Sequence, residues 1–172
     1  MTGDYQAQFA PKEYPVNIVI DANISDHNIG LMLESIDLWN ERIKTEVLYA
    51  TITYNLAMHG KCNYAVLTDN VALPLEADGK TEEIGLTTYG SCADDIVNVE
   101  TMETRMKLTA NDYFTDRAVI QIGAHELGHV LGLDHEPKDH KSMMFPTIGD
   151  DPRVISDKSY CLVKISMAMS GY

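Results

Sequence analysis

The chain has 172 residues, 45% of them hydrophobic and 23% charged, so it carries enough apolar side chain for a core and is not a wholly disordered segment. Its 13 Lys and Arg against 26 Asp and Glu give a formal net charge of −13, which argues against a nucleic-acid backbone or an anionic membrane surface as the main partner. The apolar runs are too short to span a bilayer, and the first residues lack the basic start and apolar stretch of a signal peptide.

Residues 1–13 read as an N-terminal extension to one domain spanning 1–172. Val16 to Ile20, a β-branched run after Pro15, predicts a strand. Ser25 and Asp26 then offer caps for a helix whose apolar positions Ile29, Leu33, Ile36, Trp39 and Ile43 trace one face. Val47 to Tyr54 alternates in the manner of a strand. In the middle of the chain Tyr64 to Leu67, Ile84 to Tyr89 and Ile96 to Val99 are further candidate strands, separated by turn signals such as Asp69-Asn70 and Asp78-Gly79. A second helix is expected from Thr115-Asp116, with Val119, Ile122 and Leu127 on its buried face and its end at Gly132. A third is expected after the cap Ser156-Asp157, running through Leu162 and Ile165. The order predicts an α+β (or α/β) domain without internal repeats.

The informative segment is His125-Glu126-Leu127-Gly128-His129-Val130-Leu131-Gly132-Leu133-Asp134-His135. Four residues apart on a helix, His125 and His129 lie on one face a turn apart, where two ring nitrogens can reach one zinc ion at about 2.0–2.1 Å. Glu126 is offset by roughly 100° about the helix axis, beside such an ion, where it can hold a zinc-bound water. Gly132 can take the left-handed conformation that ends a helix and turns the chain, returning His135 as a third ligand. Three neutral nitrogen ligands leave a coordination position open for water, the mark of a catalytic rather than a structural zinc. A lone histidine is more often a satisfied core or surface residue. The first His, Glu and second His at these offsets arise by chance in roughly one ordinary chain in a few hundred, and adding Gly132 and His135 lowers this on the order of several hundredfold again.

This segment resembles the H-E-x-x-H-x-x-G-x-x-H signature of the metzincin zinc peptidases, whose members also carry a methionine turn downstream. Ser142-Met143-Met144-Phe145-Pro146 is similar to that turn, with Met144 nine residues after His135. The close spacing and the Met-aromatic-Pro ending resemble the matrixins, the matrix-metalloproteinase type. Glu136 is reminiscent of astacins instead, but the tyrosine that follows the astacin methionine is replaced by Pro146. Gly85-Leu86-Thr87-Thr88-Tyr89 resembles the family's edge strand, on which an extended substrate lies antiparallel, and Asp95-Ile96-Val97-Asn98 the strand after it. The chain has no cysteine-switch segment, nor the His- and Gly-rich middle loop that holds a second, structural zinc in animal matrixins.

The resemblance implies a metzincin-like zincin fold, with a twisted mixed sheet, an active-site helix and a C-terminal helix. It implies a zinc-dependent endopeptidase with one catalytic zinc on His125, His129 and His135, Glu126 as general base towards a zinc-bound water, and Met144 as the apolar floor. A plain core role for Met144 stays open, because the chain holds nine methionines. Substrate contacts are implied for Leu86, Thr87 and Thr88 along the edge strand. Gln121, Pro146, Thr147 and Ile148 are implied around a side-chain pocket, with a solvated helix face the equal alternative for Gln121. The expected partner is a peptide or protein substrate, with no nucleic acid or membrane, and the chain is expected to be monomeric. The expected location is extracellular, because most relatives are secreted. Two other readings compete: a zinc-containing binding or assembly module without turnover, and a zinc hydrolase of cell-wall amides.

His27, His59 and His140 read as ordinary helix-start, loop and exposed residues. The acidic pairs at Asp78, Asp94-Asp95 and Asp150-Asp151 are candidate calcium (Ca2+) positions, with turn chemistry the favoured alternative. Cys62, Cys92 and Cys161 have no zinc-ribbon spacing and read as one disulfide plus a buried thiol, or as three buried thiols. If a bridge forms, Cys62–Cys92 is the expected pair.

Overall fold

Alternation and β-branching in the first half of the chain build a sheet, and the computed structural model describes it together with the helices over residues 10, 11, 13–55, 64–68, 85–91, 99–106, 115–147 and 151–172. The strands are β1 (Val16–Asp21), β2 (Leu48–Thr53), β3 (Tyr64–Thr68), β4 (Gly85–Ser91) and β5 (Val99–Met106). The helices among the described residues are α1 (Asp26–Ile43), α2 (Asp116–Val130) and α3 (Asp157–Met169). The strand order is β2-β1-β3-β5-β4. Pairing is parallel from β2 through β5, and β4 is antiparallel to β5 at the edge. This is the α+β arrangement that the sequence predicts and the mixed sheet that the resemblance implies, with Leu86, Thr87 and Thr88 on the edge strand.

The capping chemistry sets the helix starts as expected. Ser25 accepts from the Asn28 amide at the head of α1, Thr115 from Ala118 at α2, and Ser156 from Ser159 at α3. In α1 the buried positions are Leu31, Met32, Ser35, Ile36, Trp39 and Ile43, while Ile29 and Leu33 are only partly covered. The buried stripe is therefore turned slightly from the predicted face, because α1 meets α2 as well as the sheet. Its contact with α2 is polar as well as apolar: Trp39 Nε1 donates to Ala124 O at 2.8 Å, and Ser35 Oγ lies 3.0 Å from Ile120 O. Asn40 ties the other end to β2, accepting from the amides of Val47 and Leu48 and donating to Leu48 O.

Two expectations are corrected. The last strand begins at Val99, where the predicted Ile96–Val99 run ends, and continues to Met106; residues 96–98 lie outside the described residues. Glu100, Glu103 and Arg105 mask its alternation, and its pairing with β3 and β4 supplies what propensity does not. Cys161 is exposed on α3 rather than a buried thiol, since α3 turns Ser159, Val163, Ser166 and Met167 inward. Cys62 and Cys92 lie outside the described residues, as do His59 and the strand motif Asp95 to Asn98. No helix among the described residues is long and apolar enough to cross a membrane.

Trp39 is fully buried and joins α1 to the back of α2. Trp39→Ala is expected to lower stability in urea unfolding by about 3–5 kcal/mol. Trp39→Phe, which keeps most of the apolar bulk and loses the bond to Ala124, is expected to cost about 1–2 kcal/mol.

Candidate metal centre

Helix α2 carries the first two histidines, and the way it ends delivers the third. After the C-cap Leu131, the Gly132 amide donates to His129 O at 2.9 Å and the Leu133 amide to Gly128 O at 3.0 Å, the paired bonds of a Schellman stop. Gly132 has φ 87°, in the region that favours glycine, and a Cβ there would come within 2.8 Å of the Ala10 backbone. The reversed chain brings His135 Nε2 to 3.2 Å from His125 Nε2 and 3.2 Å from His129 Nε2. All three predicted ligands are therefore brought together, their ligand atoms lying within 4.8 Å of one another.

The second ring nitrogens define what these three can do. His125 Nδ1 donates to Met143 O and His129 Nδ1 donates to Leu133 O, each at 2.8 Å. A carbonyl only accepts, so each Nδ1 carries the proton and each Nε2 presents a lone pair inward. Burial reinforces neutrality. It pushes His125 down to about 3, with help from the neighbouring His129, His135 and Arg153, and it also lowers His129 and His135. The two inward lone pairs each face His135 Nε2 at 3.2 Å, a spacing at which one cation can lie among all three nitrogens. Two nitrogens each about 2.0–2.1 Å from a tetrahedral zinc would be about 3.3 Å apart, so the donor set and its spacing fit that ion.

Beside His125, residues 142–145 form a turn closed by the Phe145 amide on Ser142 O at 3.1 Å. The Glu136 amide donates to Met144 O at 2.8 Å, so this turn is tied both to the third histidine's loop and, through Met143 O, to the first. Met144 is fully buried against Gly128, where a Cβ would lie 2.2 Å from Met144 Sδ and 3.1 Å from Trp39 Cζ2. Glu126 is 4% exposed. Glu136 is also buried, and its Oε1 accepts from Ser156 Oγ and Ser159 Oγ at the head of α3. That anchor was not assigned from sequence; a carboxylate directly after a candidate ligand was its only signal.

Gln121 is 4% exposed, which removes the solvated-face alternative, and its Oε1 accepts from the Arg153 amide at 2.6 Å. Pro146 and Thr147 are exposed beyond the turn, and Ile148 lies outside the described residues. His140 is exposed and stacks on Phe145, while His27 pairs with Asp116 at 2.9 Å; neither joins the cluster. Asp78, Asp94, Asp95 and Asp150 lie outside the described residues and Asp151 is exposed, so the described residues give calcium no support.

A family model described as matrixin matches residues 74–159, half of the chain, and includes all three histidines, Glu126 and Met144. No curated protein matches the chain.

Two outcomes are expected from this geometry. Gly128→Ala adds helix propensity worth about 1 kcal/mol but forces Met144 aside, for a net loss of about 1–2 kcal/mol that Met144→Ala in the same chain relieves; a double-mutant cycle in urea measures it. Because the folded histidines titrate below the unfolded value of 6.5, the unfolded chain binds more protons between 6.5 and about 3. Stability of chelated protein should therefore be fully present above pH 6.5 and decline as pH falls towards 3, less steeply in His125→Gln, in urea titrations across that range.

Proposed function

Because the chain belongs to the matrixin family, we propose that it is a zinc-dependent endopeptidase that hydrolyses peptide bonds of extended protein substrates. The observation that carries this reading is the convergence of three neutral imidazoles on one point beside the helix position of Glu126. His125, His129 and His135 would hold the ion, and the carbonyls of Met143 and Leu133 keep the first two rings in the ligating tautomer. Zinc bound there supplies a Lewis acid that acidifies water and polarises the scissile carbonyl.

Glu126 is the general base. Its carboxylate takes a proton from the attacking water as the new C–O bond forms, then passes it to the leaving amine as the C–N bond breaks. Burial shields that carboxylate from bulk water, which strengthens its interaction with the proton it moves. Met144 is the floor of the site, the methionine turn of the family, packing under the histidines without binding metal. Its complete burial and its fit against Gly128 support that role.

An extended substrate would add to β4, the edge strand among the described residues, by main-chain hydrogen bonds at Leu86 to Thr88. Such bonds ignore sequence, so selectivity falls to a pocket between α2 at Gln121 and the segment after the turn at Pro146 and Thr147. Location outside the cell belongs to the same proposal and rests on the family alone.

Glu126→Ala is expected to keep one zinc per chain and to lose at least about 10²-fold in cleavage of unfolded casein. His125→Ala, His129→Ala and His135→Ala should each lose zinc as well as activity, and chelation should silence the parent reversibly. Zinc-loaded parent protein that cuts no unfolded substrate would overturn the peptidase reading and point to a binding module.

A further inference from the structure

We propose that Glu136 is a positioning residue for the metal: by clamping the backbone beside His135 to the head of α3, it sets where the third ligand stands and so how tightly the ion is held. This rests on the zinc reading above and deepens it, without depending on peptide cleavage. The three imidazoles are not held alike. His125 and His129 each have a backbone carbonyl on the second ring nitrogen, Met143 O and Leu133 O at 2.8 Å. His135 is the least buried of the three, and no group among the described residues pairs with its Nδ1. A ligating imidazole is ordinarily aimed by a partner on its outer nitrogen. For His135 that task falls to the backbone that carries it. Upstream, the Leu133 amide is bonded to Gly128 O in α2. The His135 amide is bonded to Asp134 Oδ1, inside the same loop. Downstream, the first fixed point is Glu136. Its amide donates to Met144 O at 2.8 Å, and its Oε1 accepts from Ser156 Oγ at 3.0 Å and from Ser159 Oγ at 2.9 Å.

The carboxylate is anchored on a firm base. Arg42 of α1 donates through Nε to Ile155 O at 3.2 Å and through Nη2 to Asp157 Oδ1 at 2.5 Å, which fixes the head of α3. Further along that helix the hydroxyls of Tyr14 and Ser166 are bonded at 2.8 Å. Ser156 is also the cap of α3, its Oγ accepting from the Ser159 amide at 3.0 Å, so Glu136 is tied to the very start of the helix. Glu136 is buried, and none of the ion pairs among the described residues involves it. Burying a carboxylate without a cation destabilises the folded state unless hydrogen bonds and dipoles compensate. Here two hydroxyls and the positive end of the α3 dipole compensate, and they do so in one relative placement of loop and helix. Apolar packing tolerates sliding, whereas this clamp does not, and the residue it fixes is the neighbour of the ligand that lacks a partner of its own.

The test measures zinc Kd by competition with a chromophoric chelator, and the d–d absorption of cobalt-substituted protein, which reports ligand geometry. The full chain is compared with Glu136→Ala, Glu136→Gln, Ser159→Ala and Val163→Ala, the last loosening α3 at a buried position away from the clamp. Glu136→Ala should weaken zinc binding by about 10- to 100-fold and change the cobalt bands. Glu136→Gln keeps an acceptor oxygen at the same reach and should stay within about threefold of the parent. Ser159→Ala removes one of the two donors and should weaken zinc by about threefold to tenfold. Val163→Ala should lose stability in urea while its zinc Kd stays within about twofold and its cobalt bands are unchanged. Parent-like affinity and bands in Glu136→Ala overturn the proposal, as does a loss in Val163→Ala as large as that in Glu136→Ala. A loss in Glu136→Gln equal to that in Glu136→Ala also overturns it, because charge and not placement is then at work. Should Glu136→Ala fail to fold, Ser159→Ala decides, and parent-like affinity there overturns the clamp. The two ways of failing are distinct: a parent that binds no zinc overturns the metal reading and the clamp together, whereas a zinc-binding parent with an unaltered Kd in the variants overturns the clamp alone.

Discussion

The inward lone pairs of His125 and His129 repel one another in the absence of a cation, and the structure around them must hold that arrangement against its own electrostatics, with His135 Nε2 only 3.2 Å from each. The restraint comes from the far side of each ring. His125 is held by Met143 O and His129 by Leu133 O, both backbone groups whose positions are set by the turn and by the helix stop. Burial keeps the rings neutral, so the repulsion is between dipoles rather than charges and remains affordable within a folded domain.

The restraints form a closed circuit. From α2 the chain passes through the Gly132 stop to His135, and Glu136 then ties the loop to the Met144 turn by its amide and to the head of α3 by its carboxylate. The turn returns to α2 through Met143 O on His125 and through Met144 against Gly128. Behind α2, Trp39 and Ser35 of α1 contact carbonyls of Ala124 and Ile120. Displacing one member therefore strains the others: a Cβ on Gly128 would push on Met144, in the turn whose Met143 carbonyl holds His125.

How much of this was legible in the sequence varies with the range of the interaction. The helices and most strands follow from local signals: Ser25, Thr115 and Ser156 as caps, and the β-branched run at Val16 to Ile20. The strand Val99–Met106 is scarcely marked in the sequence, because its charged residues hide the alternation and its ladder partners lie far off in the chain. Cysteines are usually buried, but Cys161 is exposed because α3 packs by another face. Gln121 was undecided from helical spacing alone, since its partner is an amide 32 residues away.

The sequence by itself determined the candidate ligand set, because His125 and His129 one turn apart, followed by a glycine able to reverse the chain, constrain one another through local geometry. It also determined the caps and the methionine after the third histidine. Only the tertiary structure decided which nitrogen of each of the first two rings faces inward, what Glu136 anchors and which amide Gln121 accepts from. Those outcomes depend on hydrogen bonds between segments distant in sequence, whose partners no local pattern of residues specifies.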